Sequence, residues 1–137
     1  MWMFNEVPFG IVEDEWYGFV YQITNNKTGK KYIGKKLFWH KKTKQVKGKK
    51  KRILVESDWR DYFGSNAELQ NDVKTHGKNN FTRLILKLCK NKGECNYYET
   101  KAIFENDCLL KEDFYNQWVS CKIARSHLNA KTKTRTR

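Results

Sequence analysis

A small α+β sandwich is the fold class this sequence predicts, and three features predict it: an aromatic hairpin around residue 20, an alternating strand at 81–89, and helical periodicity on either side of that strand. The hairpin begins with WYGFVYQIT at 16–24, rich in aromatic and β-branched residues, turns through NNKTG and returns as KKYIG. Alternation puts Phe19, Tyr21 and Ile23 on one face of its first strand and Val20 and Gln22 on the other, so Tyr21 and Tyr32 occupy adjacent antiparallel strands. Ser65 followed by Glu68 has the spacing of a capping box, Leu69, Val73 and His76 recur at helical intervals, and Gly77 suits a helix end; these predict a helix over 66–76. In FTRLILKLC, Leu84, Leu86 and Leu88 fall on one face of a strand, with Arg83 and Lys87 among those on the other. A second helix is expected from about Glu94 to Asp107, and Phe114 to Ile123 supplies a closing strand or edge segment. The order is ββαβα plus that closing strand, an antiparallel sheet of about three strands with flanking helices.

Composition narrows the function. The 137 residues include 39% apolar and 15% aromatic side chains, enough for one globular core, while 28 Lys+Arg against 15 Asp+Glu leave a formal charge of +13. That charge is segregated. Lys27 to Arg52 holds 13 basic residues and no acid, Lys122 to Arg137 holds 6 and no acid, and the rest is net acidic. The expected layout is an acidic leader at 1–15, a domain at 16–123 with a basic insertion at 35–52 that stays an extended loop, and a basic tail at 124–137. Two basic appendages on an acidic body suit a polyanionic partner, with DNA first, because Lys and Arg that neutralise phosphates release condensed counterions. A membrane is excluded as partner: the amino-terminal stretch is broken by Glu6, Glu13, Asp14 and Glu15, no secretory signal is evident, and KKTKQVKGKKKR has no apolar face to insert. Cys89, Cys95, Cys108 and Cys121 form no CxxC pair, so they read as reduced, buried thiols of an intracellular protein rather than as a zinc site.

Glu99 is the most informative single residue. On the second helix it shares a face with Cys95, Ala102, Ile103 and Asn106, and a carboxylate in so apolar a stripe must be protonated, paired with Arg60 or Arg83, or bound to a cation.

Phe19-Val20-Tyr21 and, eleven residues on from Tyr21, Tyr32-Ile33-Gly34 resemble the two halves of the GIY-YIG nuclease signature, with FVY in place of GIY. The later elements fall in order: an arginine near a helix start, Glu99 on a later helix, and Asn116 in Tyr115-Asn116. The resemblance spans about Tyr17 to Gln117, and ESDWRDYFGSN looks most like phage-encoded members related to homing endonucleases. It implies a metal-dependent endonuclease in the cytoplasm of a phage-infected bacterium, hydrolysing DNA phosphodiester bonds with one Mg2+ or Mn2+ ion. Under this resemblance Glu99 is the metal ligand, and Tyr21 is the general base, needing nearby positive charge from Lys35, Lys36 or the cation to act near neutrality. Tyr32 orients the nucleophile or the phosphate, and Gly34 leaves room for the phosphate. Arg60 stabilises charge on the phosphoryl oxygens, with Arg52 as the alternative, since a planar multi-donor guanidinium suits that task. Lys36 and His40 contact phosphate or assist proton transfer, Asn116 steadies the site, and Lys35, Lys49, Lys50 and Lys51 bind the DNA backbone. One site cuts one strand, so double-strand cleavage calls for a transient homodimer on DNA or a second binding event. The competing readings are a non-catalytic basic nucleic-acid-binding protein that keeps a degraded nuclease fold, and a basic scaffold for an acidic partner.

Overall fold

The computed structural model describes residues 1–13, 15–120 and 125. Its main sheet is mixed and five-stranded. The strands are β1 (Trp2–Phe4), β2 (Val7–Pro8), β3 (Gly18–Asn25), β4 (Lys31–Leu37) and, later in the chain, β7 (Phe81–Cys89), in the spatial order β2-β1-β7-β3-β4. Between β4 and α1 (Ala67–His76) lies a separate two-stranded sheet, β5 (Trp39–Val46) with β6 (Lys49–Glu56), and α2 (Lys92–Glu105) follows β7. The α+β class stands, but the sheet is larger than the three expected strands.

The first difference is at the amino terminus. Residues expected to form an acidic leader contribute β1, parallel to β7 with Trp2 opposite Arg83, and Trp2 is fully buried with its Nε1 donating to the Trp59 carbonyl at 2.7 Å. Burial of that indole and the packing of Phe4, Phe9 and Val12 on the same core hold the segment down. The second difference is the basic insertion. The expected extended loop is a hairpin whose turn residues, Lys47 at φ 52° and Gly48 at φ 76°, both occupy the left-handed region, which matches the twist of a two-residue hairpin.

Two cores lie on opposite faces of the sheet. One gathers Trp2, Phe19, Tyr21, Ile23, Phe38, Trp59, Leu69 and Val73 beneath α1 and the short 3-10 turn Trp59–Asp61; the other gathers Val20, Ile33, Cys89, Cys95 and Ile103 beneath α2. Alternation along β3 thus feeds both. On β7 the alternation is interrupted: Val20 pairs with Lys87 and Tyr21 with Ile85, so Leu86 bulges out, 41% exposed. The bulge switches faces. Phe81, Arg83 and Ile85 point to the first core, Leu88 packs there too, and Cys89 reaches the second.

Helix α1 is capped by Asn66, not Ser65: the Asn66 carboxamide oxygen accepts from Leu69 N at 2.9 Å, and Gly77 at φ 88° ends the helix. Asn91 caps α2 in the same way through Glu94 N. The closing strand reduces to a single parallel bridge between Lys31 and Phe114 among the described residues. Cys121 and, apart from Arg125, the tail at 124–137 lie outside them. No helix of the described residues is long and apolar enough to cross a membrane.

Candidate active site

The chemistry-bearing residues meet at the outer edge of β4, the last strand of the main sheet. There a pocket of about 300 Å³ is lined by Tyr21, Tyr32, Lys35, Ser65, Glu99 and Asn116, with residues 117–120 forming its outer wall. Tyr21 and Tyr32 arrive from the α1 side of the sheet and Glu99 from α2, so the pocket opens where the two faces meet around a strand edge.

Tyr21 is 1% exposed, wedged against Trp2, Tyr32 and Tyr62 with ring centroids 5.4 to 6.2 Å away. Its phenol crosses the backbone of Gly34, its partner in the β3–β4 register. A β-carbon on Gly34 would lie 2.6 Å from the Tyr21 hydroxyl oxygen. The space expected to admit phosphate is therefore filled by the phenol. Burial raises the Tyr21 pKa well above that of a free phenol, and the neighbouring Tyr62 and Tyr32 phenols and Glu99 push it further the same way. The direction is away from the near-neutral range for which Tyr21 needs positive charge from Lys35, Lys36 or the metal. Tyr32 is also raised by burial, against a lowering hydrogen bond from Ser65 at 3.2 Å.

Glu99 sits on the inward stripe of α2 with 17% of its side chain exposed, and burial raises its carboxyl pKa while Lys35 partly offsets the rise. Its cationic partner is Lys35 Nζ at 3.4 Å. The expected arginine partners are engaged elsewhere. Arg60 bonds Glu56 at 2.7 Å and the Gly10 carbonyl at 2.5 Å and stacks over Trp59, away from the pocket. Arg83 donates to the carbonyls of Arg60 and Tyr62 and lies over Trp2 and Phe63, which pins the 60–63 segment to the sheet. Arg52, with Lys49, Lys50 and Lys51, is exposed on the β6 arm.

Asn116 does the work of a strand. Its side-chain oxygen accepts from Ile33 N at 3.1 Å and its amide donates to Ile33 O at 2.8 Å, continuing the pairing begun by Lys31 N to Asp113 O and Tyr115 N to Lys31 O. A side-chain carboxamide has the same donor and acceptor as a peptide, so it satisfies the edge of β4 while the chain turns away to wall the pocket. Lys36 points to the other side of β4, pairing Asp58 at 2.6 Å with its ammonium 4.1 Å from the Tyr62 ring centre. His40 is exposed at the root of the hairpin. A second cleft of about 470 Å³ there, lined by Lys36, His40, Asp58 and Lys92, shares Lys35 with the first pocket.

A family model described as "Putative endonuclease segE, GIY-YIG domain" matches residues 2–119. The chain belongs to this GIY-YIG family. A curated relative, "Putative endonuclease segE" of Enterobacteria phage T4, is 35% identical over 101 residues, which is 73% of this chain and 40% of that protein. The chain thus spans about 40% of the length of that relative. No solved structure matches it significantly.

The two halves of the GIY-YIG signature lie side by side on β3 and β4, with Tyr21 directly opposite Gly34. The sequence pattern pointed to no site role for Tyr62, for Ser65, which it marked as a helix cap, or for the wall at 117–120. Tyr62 and Ser65 lie in irregular segments with no period to read, and the wall is placed by Asn116. Cys89, Cys95 and Cys108 are buried free thiols as expected, Cys95 raised by a thiol–thiol hydrogen bond with Cys89 and by burial, Cys108 pushed up to about 11 by burial.

Proposed function

We propose that this pocket hydrolyses phosphodiester bonds of DNA. The observation that supports it is the convergence of Tyr21, Tyr32, Lys35 and Glu99, drawn from three separate elements, on one pocket at the edge of β4. The name endonuclease carried by the family model and the phage T4 relative supports the same class.

The donor set suits a hard divalent cation such as Mg2+. Glu99 is a partly buried carboxylate held above its ordinary pKa by burial and facing a pocket whose other polar groups include the hydroxyls of Tyr21, Tyr32 and Ser65. Hard cations take oxygen ligands and commonly use one or two protein carboxylates. Glu99 would hold the ion, and when bound the ion would supply Lewis acidity and positive charge beside the scissile phosphate.

The chain's own groups divide the remaining tasks. Lys35 faces the negative charge that builds on the phosphoryl oxygens, the place expected of Arg60. Tyr21 is assigned the proton of the attacking water, as base or relay; burial favours its neutral phenol, so the role requires nearby positive charge, of which Lys35 is the source in the pocket lining among the described residues. Tyr32, fixed by Ser65, orients water or phosphate. Asn116 positions the wall.

Plasmid nicking by the purified protein, with Mg2+ or with chelator, tests this reading. Nicking should require the metal, and Tyr21→Phe should lower its rate by about a hundredfold or more while the fold persists. Metal-independent nicking, or full activity in Tyr21→Phe, would remove the assigned roles. DNA binding without any nicking would leave the non-catalytic alternative.

A further inference from the structure

The β5–β6 hairpin forms a sheet of its own, and every residue from Lys41 to Arg52 is exposed. Eight of those twelve are basic and none is acidic, and no ion pair among the described residues involves them. Lys44 stands directly opposite Lys51, an arrangement that destabilises a strand pair, and an isolated two-stranded hairpin is marginal in water. The arm is nevertheless firmly rooted. Phe38 is fully buried, Trp39 Nε1 donates to the Trp16 carbonyl at 3.0 Å, and the Ser57 hydroxyl donates to the Leu37 carbonyl at 2.6 Å. One residue, Phe38, separates this arm from β4, the strand that carries Tyr32, Gly34 and Lys35.

The register sorts the arm's side chains into two faces of different chemistry. Thr43 opposite Arg52 and Gln45 opposite Lys50 share one face with Lys41 at its foot; Lys42, Lys44, Lys49 and Lys51 share the other with Val46. Arginine, glutamine and threonine have the multi-point donors and acceptors that discriminate base edges, whereas lysine is a mobile point charge suited to phosphate. The major groove admits a two-stranded ribbon, and an eight-residue strand is about 26 Å long. The cleft lined by Lys35, Lys36, His40 and Lys92 makes a basic path from the pocket to the foot of the arm, with Asp58 the acid in its lining.

We propose that the β5–β6 arm docks in the major groove of duplex DNA, the Thr43–Gln45–Lys50–Arg52 face against the base edges and the lysines of the opposite face reaching the phosphates on the groove walls. The location of the cut beside the docked segment rests on the nuclease reading; the docking does not.

Binding of a fluorescent duplex is measured in chelator across a salt series, with a random-sequence selection to read base preference. Lys44→Ser/Lys51→Ser should reduce the slope of log affinity against log salt by about 1.8, at about 0.9 per lost phosphate contact, and leave the selected sequence unchanged. Gln45→Ala/Arg52→Ala should lower the slope by no more than about 0.9 and weaken or shift the selected base pairs. Both variants change exposed residues, so unaltered thermal melting verifies the fold. Loss of slope without change of preference in both variants, or equal affinity for single-stranded DNA or RNA of the same length, overturns groove docking. If the expected binding pattern appears but Mg2+ gives no nicking, the nuclease reading fails and the docking stands. If plasmid is nicked while neither variant changes binding, the reverse holds.

Discussion

The hydroxyl of Tyr21 occupies the space in which a side chain on Gly34 would begin: a β-carbon there would lie 2.6 Å from the phenol oxygen, 2.8 Å from its ring carbon and 3.0 Å from the ring of Tyr32. Glycine at this position is what lets the β3 phenol cross β4 and reach the pocket.

Gly34→Ala should therefore displace Tyr21. With Tyr21 enclosed by Trp2, Phe19 and Tyr62, overpacking should cost about 1 to 3 kcal/mol and lower the melting temperature, and nicking should fall with it. Adding Tyr21→Phe to Gly34→Ala removes the closest clash, so the double variant should recover part of the stability. Additive losses in that cycle would show that the two positions do not compete for space.

Asn116→Ala leaves the N–H and C=O of Ile33, a fully buried residue, without their partners, at about 1 to 3 kcal/mol for each group left unsatisfied. Asn116→Asp keeps the acceptor for Ile33 N–H but turns a carboxylate oxygen toward Ile33 O, so it should not rescue stability. Faster hydrogen exchange at the Ile33 amide in both variants is the local readout. Unchanged exchange would mean that the carboxamide does not hold the strand edge.

What was legible in the sequence was periodic. The β3–β4 hairpin, β7 and both helices each carry an apolar repeat or a turn signal, and Glu99 was identified because its helical face is mostly apolar. The missed elements lack such patterns for definite reasons. β1 and β2 have three and two residues and turn on Asn5-Glu6, both at positive φ, too short for alternation to register. β5 and β6 have exposed side chains on both faces through residues 41–52, and their turn is Lys-Gly rather than the stronger Asn-Gly signal. The partner of Glu99 depends on the register of β4, which puts Lys35 on the α2 face, while Arg60 is taken up by Glu56 four residues earlier.

Lys35 is the one cation among the described residues that lines the pocket, which separates its expected phenotype from that of Arg60. Lys35→Met should lower nicking by about a hundredfold or more if it faces charge developing on phosphate. Arg60→Met removes a partly exposed ion pair with Glu56, worth up to about 1 kcal/mol, and should cut DNA at close to the wild-type rate. Single-turnover rates on the same substrate compare them. The opposite ranking would return Arg60 to the site.

Glu99→Gln tests the carboxylate through stability as well as activity. Burial holds the folded Glu99 carboxyl above its ordinary value of 4.5, and Lys35 offsets only part of that shift. A group that binds its proton more tightly when folded contributes stability fully below the unfolded pKa and loses that contribution as pH rises through the folded one. Glutamine mimics the protonated form at every pH. Without added metal the variant should therefore melt with the wild type at pH 4 and above it at pH 7. Added Mg2+ should raise the wild-type melting temperature at pH 7, because an ion that binds only the folded state stabilises it by mass action, and should leave the variant unmoved. Nicking should be lost while duplex binding persists, since the amide removes a negative ligand without adding bulk. A variant that melts below the wild type at pH 7 would mark the Lys35 pair as net stabilising, and one that still responds to Mg2+ would place the ion elsewhere.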